Sequence, residues 1–366
     1  MIVAGEASGD QHAAGLAAAL RQTHPDWRLT GMGGARMAAA GVEMLERTDT
    51  TAVMGFAEVL RTIPHHLALL KAFRRRLESG AVNCLVTIDY PGFNLRLAAA
   101  AWAARVPVVY YIAPQVWAWG ADRLPRMAGV ITKAAVILPF EEDLLRAHGI
   151  DATFVGHPLL DRVAAMPDRA TARRMLDLPD ESSVLALFPG SRQQEIDRHL
   201  DGFVRTATLL QAAHPGLEVV VATAPGVVVP AARCPYRQVT ESSLAVLRAA
   251  DAAVCKSGTT TLEAAVAGCP LVVAYRTSRW THAIARRVVR IPRIGLVNVV
   301  AGREVAREFV QSALVPSAMA DALSPLLVRG SPEQQRMQRD LEEVRDRLGT
   351  PGAAGRVAAI VASLVG

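Results

Sequence analysis

Cysteine is scarce in this chain of 366 residues: there are four, at positions 84, 234, 255 and 269, with no CxxC pair and no histidine at ligand spacing. That excludes a disulfide framework and a zinc-finger type of cluster, and the four read as buried thiols of a reducing cytoplasm. Lysine is scarcer still. Lys71, Lys133 and Lys256 are the whole complement, so arginine supplies nearly all of the 40 basic residues, the net charge of +6 and the pI near 9.5. An arginine-rich surface suits anionic partners such as phosphates, nucleic acid or an acidic membrane. Genome composition alone would produce the same bias, and composition does not separate the two. Long apolar runs are missing. The longest uncharged stretch, 106–121, is broken by Pro107, Pro114 and Gln115, short of the roughly 18 apolar residues of a spanning helix. No signal peptide is expected, because the chain opens on a short strand and a turn. The dinucleotide fingerprint G-x-G-x-x-G is absent: "GMGGAR" at 31–36 puts Arg36 where the third glycine belongs. No Asp-x-Asp pair occurs, so neither metal nor cofactor is expected.

What is present is a 51% hydrophobic chain, enough for two buried cores. Short apolar runs recur at 1–4, 84–88, 108–112, 135–138 and 153–155, then at 184–188, 218–222, 237–239, 252–255, 271–274 and 295–297. Between them lie helical patterns at 11–22, 56–79, 195–213 and 260–267. Strands without polar alternation, spaced by helices, predict parallel sheets covered on both faces. The expected class is therefore α/β, with two doubly wound Rossmann-like domains facing a central cleft. The seam is placed near Gly156 to Asp168. Three helical segments from about 317 onward are candidates for a return to the first domain. The expected division is 1–165, 166–345, and a helix at 346–366 returning to the N-terminal domain.

Ligands of such sheets bind outside the carboxyl ends of the strands. "GEASGD" (5–10) sits at the end of the first strand, where Ser8 or Asp10 is expected to cap a helix beginning near Gln11. A plain cap and a ligand-facing turn are equal readings there. "FPGSRQQE" (188–195) follows a buried run and opens a helix. Gly190 allows a tight turn, Ser191 and the free helix N–H groups face any anion, and Arg192 can fork onto a phosphate. "CKSGTTTLEAAVAGCP" (255–270) repeats the logic: Ser257, Gly258, Thr259 and Thr260 open a second helix, with Glu263 one turn in, placed to accept from ribose hydroxyls. Two anion-facing helix starts in one domain suggest a nucleoside diphosphate. "TIDYPGFN" (87–94) puts Asp89 at a strand end, as a general base or as the cap of the helix after Pro91. "APQVWAWG" (113–120) brings two tryptophans that either wall a site or pack under a loop.

At this point the chain resembles the lipid-A-disaccharide synthase family, glycosyltransferases of the GT-B architecture. The matching stretches are "GEASGD", "AVMGFAEVL" (52–60), "IDYPGFN" (88–94), "PQVWAW" (114–119), "LPFE" (138–141), "GHPLLD" (156–161), "PGSR" (189–192), "SGTTTLE" (257–263) and "NVVAGREVAREFVQ" (298–311), which together cover nearly the whole length. Family chains carry several residues before the first strand, so the natural start is expected slightly upstream of Met1. The resemblance implies a hexosyltransferase that moves 2,3-diacylglucosamine from its UDP conjugate to 2,3-diacylglucosamine 1-phosphate (lipid X), with inversion, giving a β-1,6-linked disaccharide 1-phosphate and UDP. It implies Asp89 as the base. Gly190, Ser191, Arg192, Ser257, Gly258, Thr259, Thr260, Glu263 and Asn298 would form the donor site. Glu6, Ser8, Gly9 and Trp117 would lie on the acceptor side.

The other expected partner is the anionic inner face of a Gram-negative inner membrane. Apolar stripes that include Phe56, Val59, Leu60 and Ile63, continuing through Leu67, Leu70, Phe73 and Leu77, are flanked by Arg74, Arg75 and Arg76. A second stripe around Trp280 is flanked by Arg286 and Arg287. The competing reading turns both stripes to the core. A cytoplasmic, peripherally membrane-associated protein is expected, with a homodimer as one option and no nucleic acid. Two alternatives stay open: an isomerase resembling UDP-N-acetylglucosamine 2-epimerase, and a non-catalytic carrier of lipid or nucleotide sugar.

Overall fold

The computed structural model describes residues 1–48, 56–240, 242–278 and 291–365, without the side chains of 56–63. The chain divides into two compact units, Met1–Pro158 with Gly349–Gly366, and Leu159–Leu348.

The first unit runs β1 (Ile2–Ala4), α1 (Ala7–Thr23), β2 (Thr30–Gly33), α2 (Ala35–Ala39), β3 (Glu43–Arg47), α3 (Phe56–Glu78), β4 (Leu85–Ile88), α4 (Pro91–Ala103), β5 (Val108–Tyr111), α5 (Leu124–Ala128), β6 (Lys133–Val136), α6 (Pro139–Arg146) and β7 (Ala152–Phe154). Its strands form one parallel sheet in the order β3-β2-β1-β4-β5-β6-β7. β1, β4 and β5 are buried at every residue because helices cover both faces. Leu16, Leu20, Ile88 and Tyr111 pack on one side, and Phe73, Leu77, Leu85 and Leu97 on the other.

The second unit runs α7 (Arg169–Met175), β8 (Val184–Phe188), α8 (Gln193–Ala213), β9 (Glu218–Thr223), β10 (Arg237–Thr240), α9 (Ser243–Ala249), β11 (Ala252–Lys256), α10 (Thr260–Ala267), β12 (Leu271–Tyr275), α11 (Leu296–Ala301), β13 (Glu308–Val310), α12 (Pro316–Leu327) and α13 (Pro332–Arg347). Its parallel sheet has the order β10-β9-β8-β11-β12-β13. α12 packs on α8 and α13 on α10, so these two late helices belong to the second unit. The last, α14 (Ala353–Val365), packs on α1 of the first unit. Apolar Val357, Ala358 and Val361 make that contact surface.

The α/β doubly wound class expected from the apolar runs is the one observed. Three local expectations are corrected. The first helix starts at Ala7, not near Gln11, with Glu6 as N-cap residue and no side-chain cap. Asp10 instead caps a different helix: its carboxylate accepts the Gly34, Arg36 and Met37 N–H groups at 2.7, 3.1 and 3.0 Å, at the start of α2. Finally, the run at 295–297 is helix α11, not a strand. A short apolar run does not by itself distinguish a strand from a buried helix. Here Gly295 leads into the helix, and the Glu308 carboxylate accepts the Ile294 and Gly295 N–H groups at its start. β13 takes the sheet edge instead.

Candidate functional site

Each sheet reverses strand order once, between β1 and β4 in the first unit and between β8 and β11 in the second. A crevice outside the carboxyl ends of the strands at such a reversal is where open α/β sheets take ligands. In both units the chemistry-bearing loops flank that point.

In the first unit, β1 ends in Gly5-Glu6 and β4 ends in Asp89-Tyr90. Asp89 and Tyr90 are both left-handed, at φ 46° and 48°. For residues with a Cβ each such conformation costs about 1–3 kcal/mol and persists only where surroundings impose it. Here the Asp89 carbonyl accepts from Tyr110 Oη at 2.8 Å and from Asn94 Nδ2 at 2.7 Å, and Pro91 then starts α4. The Tyr90 ring lies over Gly5, so close that a Cβ there would overlap it. Tyr90 Oη meets His66 Nε2 at 2.7 Å. The turn that carries Asp89 is therefore clamped from four sides, and its carboxyl stays half-buried. Burial, then the nearby negative charge of Glu6, push the Asp89 carboxyl above the usual carboxylate range, against one backbone hydrogen bond from Tyr90. This is the direction that suits a general base. Glu6 and Ser8 are exposed at the start of α1, and Gly9 is buried against Ala4.

Trp117 does not simply wall a site. Its Nε1 donates to Glu141 Oε1 at 3.0 Å, and its ring meets Phe140 edge-on at 5.3 Å. Glu141 is buried, also accepts the Leu138 N–H at 3.1 Å, and burial lifts its carboxyl to about 7. Sequence reasoning assigned Glu141 no role. The signal available was "LPFE" itself, an acid one turn into a helix that begins with proline. Trp119, the second tryptophan, is exposed, with the Arg123 guanidinium 4.4 Å above its ring.

In the second unit, Gly190 (φ 143°) turns the chain between β8 and α8, and a Cβ there would strike Glu195. Ser191 and Arg192 are exposed at the start of α8, which no side chain caps at Arg192. Glu195 reaches back: its Oε2 accepts the Ser191 N–H at 2.9 Å and its Oε1 pairs with Lys256 Nζ at 2.8 Å. Burial alone would raise the Glu195 carboxyl. Lys256, the Ser191 N–H and Arg192 outweigh it and hold the group below its usual range. His199, one turn on, accepts the Arg276 N–H at Nε2 (2.8 Å), so its Nδ1 carries the proton and donates to the Glu195 carbonyl at 2.7 Å. Burial pushes His199 down and keeps it neutral.

After β11, Ser257 donates its hydroxyl to the Ile294 carbonyl at 2.7 Å, and Thr261 donates to the Gly258 carbonyl at 2.8 Å. Gly258 (φ 155°) leads into Thr259 and Thr260, and α10 starts with no side-chain cap, its Thr261 and Leu262 N–H groups turned back onto the Gly258 and Thr259 carbonyls at 3.2 and 2.9 Å. Glu263 is paired with Arg162 Nη1 at 3.0 Å. Asn298 requires a correction. It is fully buried, its Nδ2 donates to Ala306 O (2.6 Å) and Glu308 (2.8 Å), and its Oδ1 accepts the Val305 and Ala306 N–H groups (2.7 and 2.9 Å). No capacity is left for a sugar or phosphate; Asn298 ties α11 to the segment before β13. Lys256 and Glu308 are the residues of this region that the motif reading passed over.

The stripe expected at the membrane is only partly described. The side chains of Phe56, Val59, Leu60 and Ile63, and all of Trp280, Arg286 and Arg287, lie outside the described residues. Of the remainder, Phe73 and Leu77 are buried and Leu70 packs against that same cluster, while Leu67, Arg74 and Arg75 are exposed and Arg76 is half-buried. The C-terminal half of that stripe thus faces the core.

Comparison with known proteins adds four findings. A family model described as lipid-A-disaccharide synthetase matches residues 1–358. A lipid-A-disaccharide synthase of Myxococcus xanthus is 41% identical over 100% of this chain and 97% of its own. Among solved structures, the glycotransferase of kitacinnamycin aligns with TM-score 0.66 at 16% identity over 99% and 98% of the two chains. A UDP-GlcNAc 2-epimerase from Neisseria meningitidis, bound to UDP-GlcNAc, aligns with TM-score 0.58 at 12% identity over 99% and 97%. At those identities the last two speak for the fold alone.

Proposed function

The chain belongs to the lipid-A-disaccharide synthase family, and from that premise we propose that it transfers 2,3-diacylglucosamine from UDP-2,3-diacylglucosamine to lipid X. It is a glycosyltransferase of lipid A biosynthesis with a GT-B type of fold. In the proposed reaction Asp89 takes the proton of the acceptor 6-hydroxyl while that oxygen attacks C1 of the donor sugar. The bond from C1 to the diphosphate oxygen breaks, and UDP leaves. One displacement turns an α-linked donor into a β-1,6-linked product. The second unit binds the nucleotide: Arg192, the turn at Gly190 and Ser191, and the α10 start at Gly258, Thr259 and Thr260 meet the diphosphate as its charge grows. Glu263, with one oxygen already on Arg162, offers the other to the ribose. The first unit takes the acceptor beside Glu6, Ser8 and Gly9.

The observation that carries this reading is Asp89, a carboxyl with a raised pKa held in a left-handed turn at the strand-order reversal. Its test is a mass-spectrometric assay of the purified chain with acylated UDP-glucosamine and lipid X. Disaccharide 1-phosphate and UDP in equal amounts are expected. Turnover of unacylated UDP-N-acetylglucosamine to its 2-epimer, with no disaccharide, would establish the isomerase reading instead. We also propose peripheral association with an anionic membrane, supported by the exposed Leu67, Arg74 and Arg75 of α3.

A further inference from the structure

We infer that Lys256 is a second diphosphate-binding cation of the nucleotide site, one that exchanges its partner Glu195 for a phosphate oxygen. The inference rests on the nucleotide reading above and adds a ligand to it. A chain that uses arginine almost everywhere keeps a lysine at the last residue of β11, directly before Ser257-Gly258-Thr259. A lysine places a compact charge on a flexible stem, free to swing between two acceptors, where an arginine fork would be committed. Its ammonium lies 3.8 Å from the place a Cβ on Gly258 would occupy, beside the uncapped start of α10. The side chain is partly exposed (19%) and its charge sits 5.9 Å from the Tyr275 ring centre. Glu195 holds it at 2.8 Å, and the other oxygen of that carboxylate holds the Ser191 N–H. One carboxylate thus engages a donor from the loop after β8 and another from the last residue of β11, on the two sides of the β8/β11 reversal.

The charge at this point does not close without a ligand. Lys256 and Arg192 bring two positive charges. The starts of α8 and α10 each add roughly half a charge of the same sign. Glu195 offsets one. About two positive charges remain, which suits a nucleoside diphosphate and exceeds what a neutral sugar needs. A lysine beside the positive end of a helix is unfavourable on its own, so an anion that touches both relieves the repulsion. When the diphosphate enters, the ammonium turns from Glu195 to a phosphate oxygen, and Glu195 keeps the Ser191 N–H in place.

The test is calorimetric titration of the full chain with UDP and with uridine, for wild type, Lys256→Met and Glu195→Gln. Lys256→Met should weaken UDP about 10- to 100-fold, the range of a lost charge-assisted hydrogen bond, and leave uridine affinity unchanged. Glu195→Gln frees the lysine while its amide oxygen still accepts the Ser191 N–H, so it should tighten UDP a few-fold. Equal weakening in both variants would make the pair a structural tie and overturn the proposal, as would an unchanged UDP affinity in Lys256→Met. If wild type binds uridine and UDP equally well, or neither, the nucleotide reading itself fails, and Lys256 loses its role with it.

Discussion

At the scale of single residues, Asp89 and Asn298 make opposite predictions. Asp89→Asn keeps the size of the side chain and removes the proposed proton acceptor, so turnover should fall on the order of 10²- to 10⁴-fold with UDP affinity retained. Because the charge of Glu6 helps raise Asp89, Glu6→Gln should move the acidic limb of the kcat/KM profile to lower pH. A limb that stays put would remove Glu6 from the pair. Asn298→Ala, by contrast, should cost stability first. It strands the Val305 and Ala306 N–H groups and the Ala306 carbonyl in a buried site, at about 1–3 kcal/mol per group left unpaired. Urea unfolding checks this: a midpoint equal to wild type with lost UDP binding would return Asn298 to the ligand. Asp89 was legible in the sequence because an acid at the end of an apolar run has few structural reasons to be there. Asn298 was misread because a motif marks a residue as needed without showing whether it touches ligand or backbone. Lys256 carries no such signal, because a lysine at the end of an apolar run reads equally well as a solvated strand terminus.

At the scale of elements, α6 and the segment after β7 carry two buried groups with opposed titrations. His157 is depressed to about 4 by burial, then by the charge of His12, from an ordinary 6.5. The unfolded chain therefore takes up a proton below pH 6.5 that the fold refuses until about 4, and the stability His157 contributes, full above 6.5, is lost as pH falls across that window. Glu141 is raised to about 7 from 4.5. There the fold keeps a proton that the unfolded chain gives up, so its contribution is full below 4.5 and is lost as pH rises to 7. Between pH 4.5 and 6.5 each slope is about 1.4 kcal/mol per unit, with opposite sign, so the pair largely cancels. Glu141→Gln should make the first unit less stable at pH 5 than at pH 7, and His157→Gln should do the reverse. Urea midpoints of the two variants running in the same direction with pH would refute the compensation. The strands themselves show the same split in legibility. β5, β8 and β12 are unbroken apolar runs, β4 and β11 depart from one only at Thr87 and at the terminal Lys256, and all five stand where those runs are. β2 and β3 went unseen, because "TGMG" is half glycine and "EMLER" is a partly exposed edge strand with charged residues.

At the scale of the whole molecule, the proposed substrates carry acyl chains that prefer a bilayer, so the proposed reaction requires access to a membrane surface. No helix among the described residues is long and apolar enough to cross a membrane. The net charge of +6 is carried mostly by arginine, and in the proposed membrane association that charge would act within about a Debye length of an anionic surface. On α3, Arg75 is exposed, and Arg74 is exposed but shared with Glu78 at 2.7 Å, while Phe73 and Leu77 on the same turns hold the helix to the core. Such a helix can rest on headgroups through its outer face without unpacking. Each arginine near the surface contributes about 1 kcal/mol, or roughly fivefold in affinity. Arg75→Gln should therefore weaken binding to anionic vesicles about fivefold, and Arg74→Gln less, because Glu78 already draws off part of its charge. Co-sedimentation with phosphatidylglycerol-containing vesicles at low and high salt measures both effects. Recovery that is equal with neutral and anionic vesicles and indifferent to salt would remove the electrostatic contribution, and leave the exposed Leu67 and its neighbours on α3 to be tested by their own substitution.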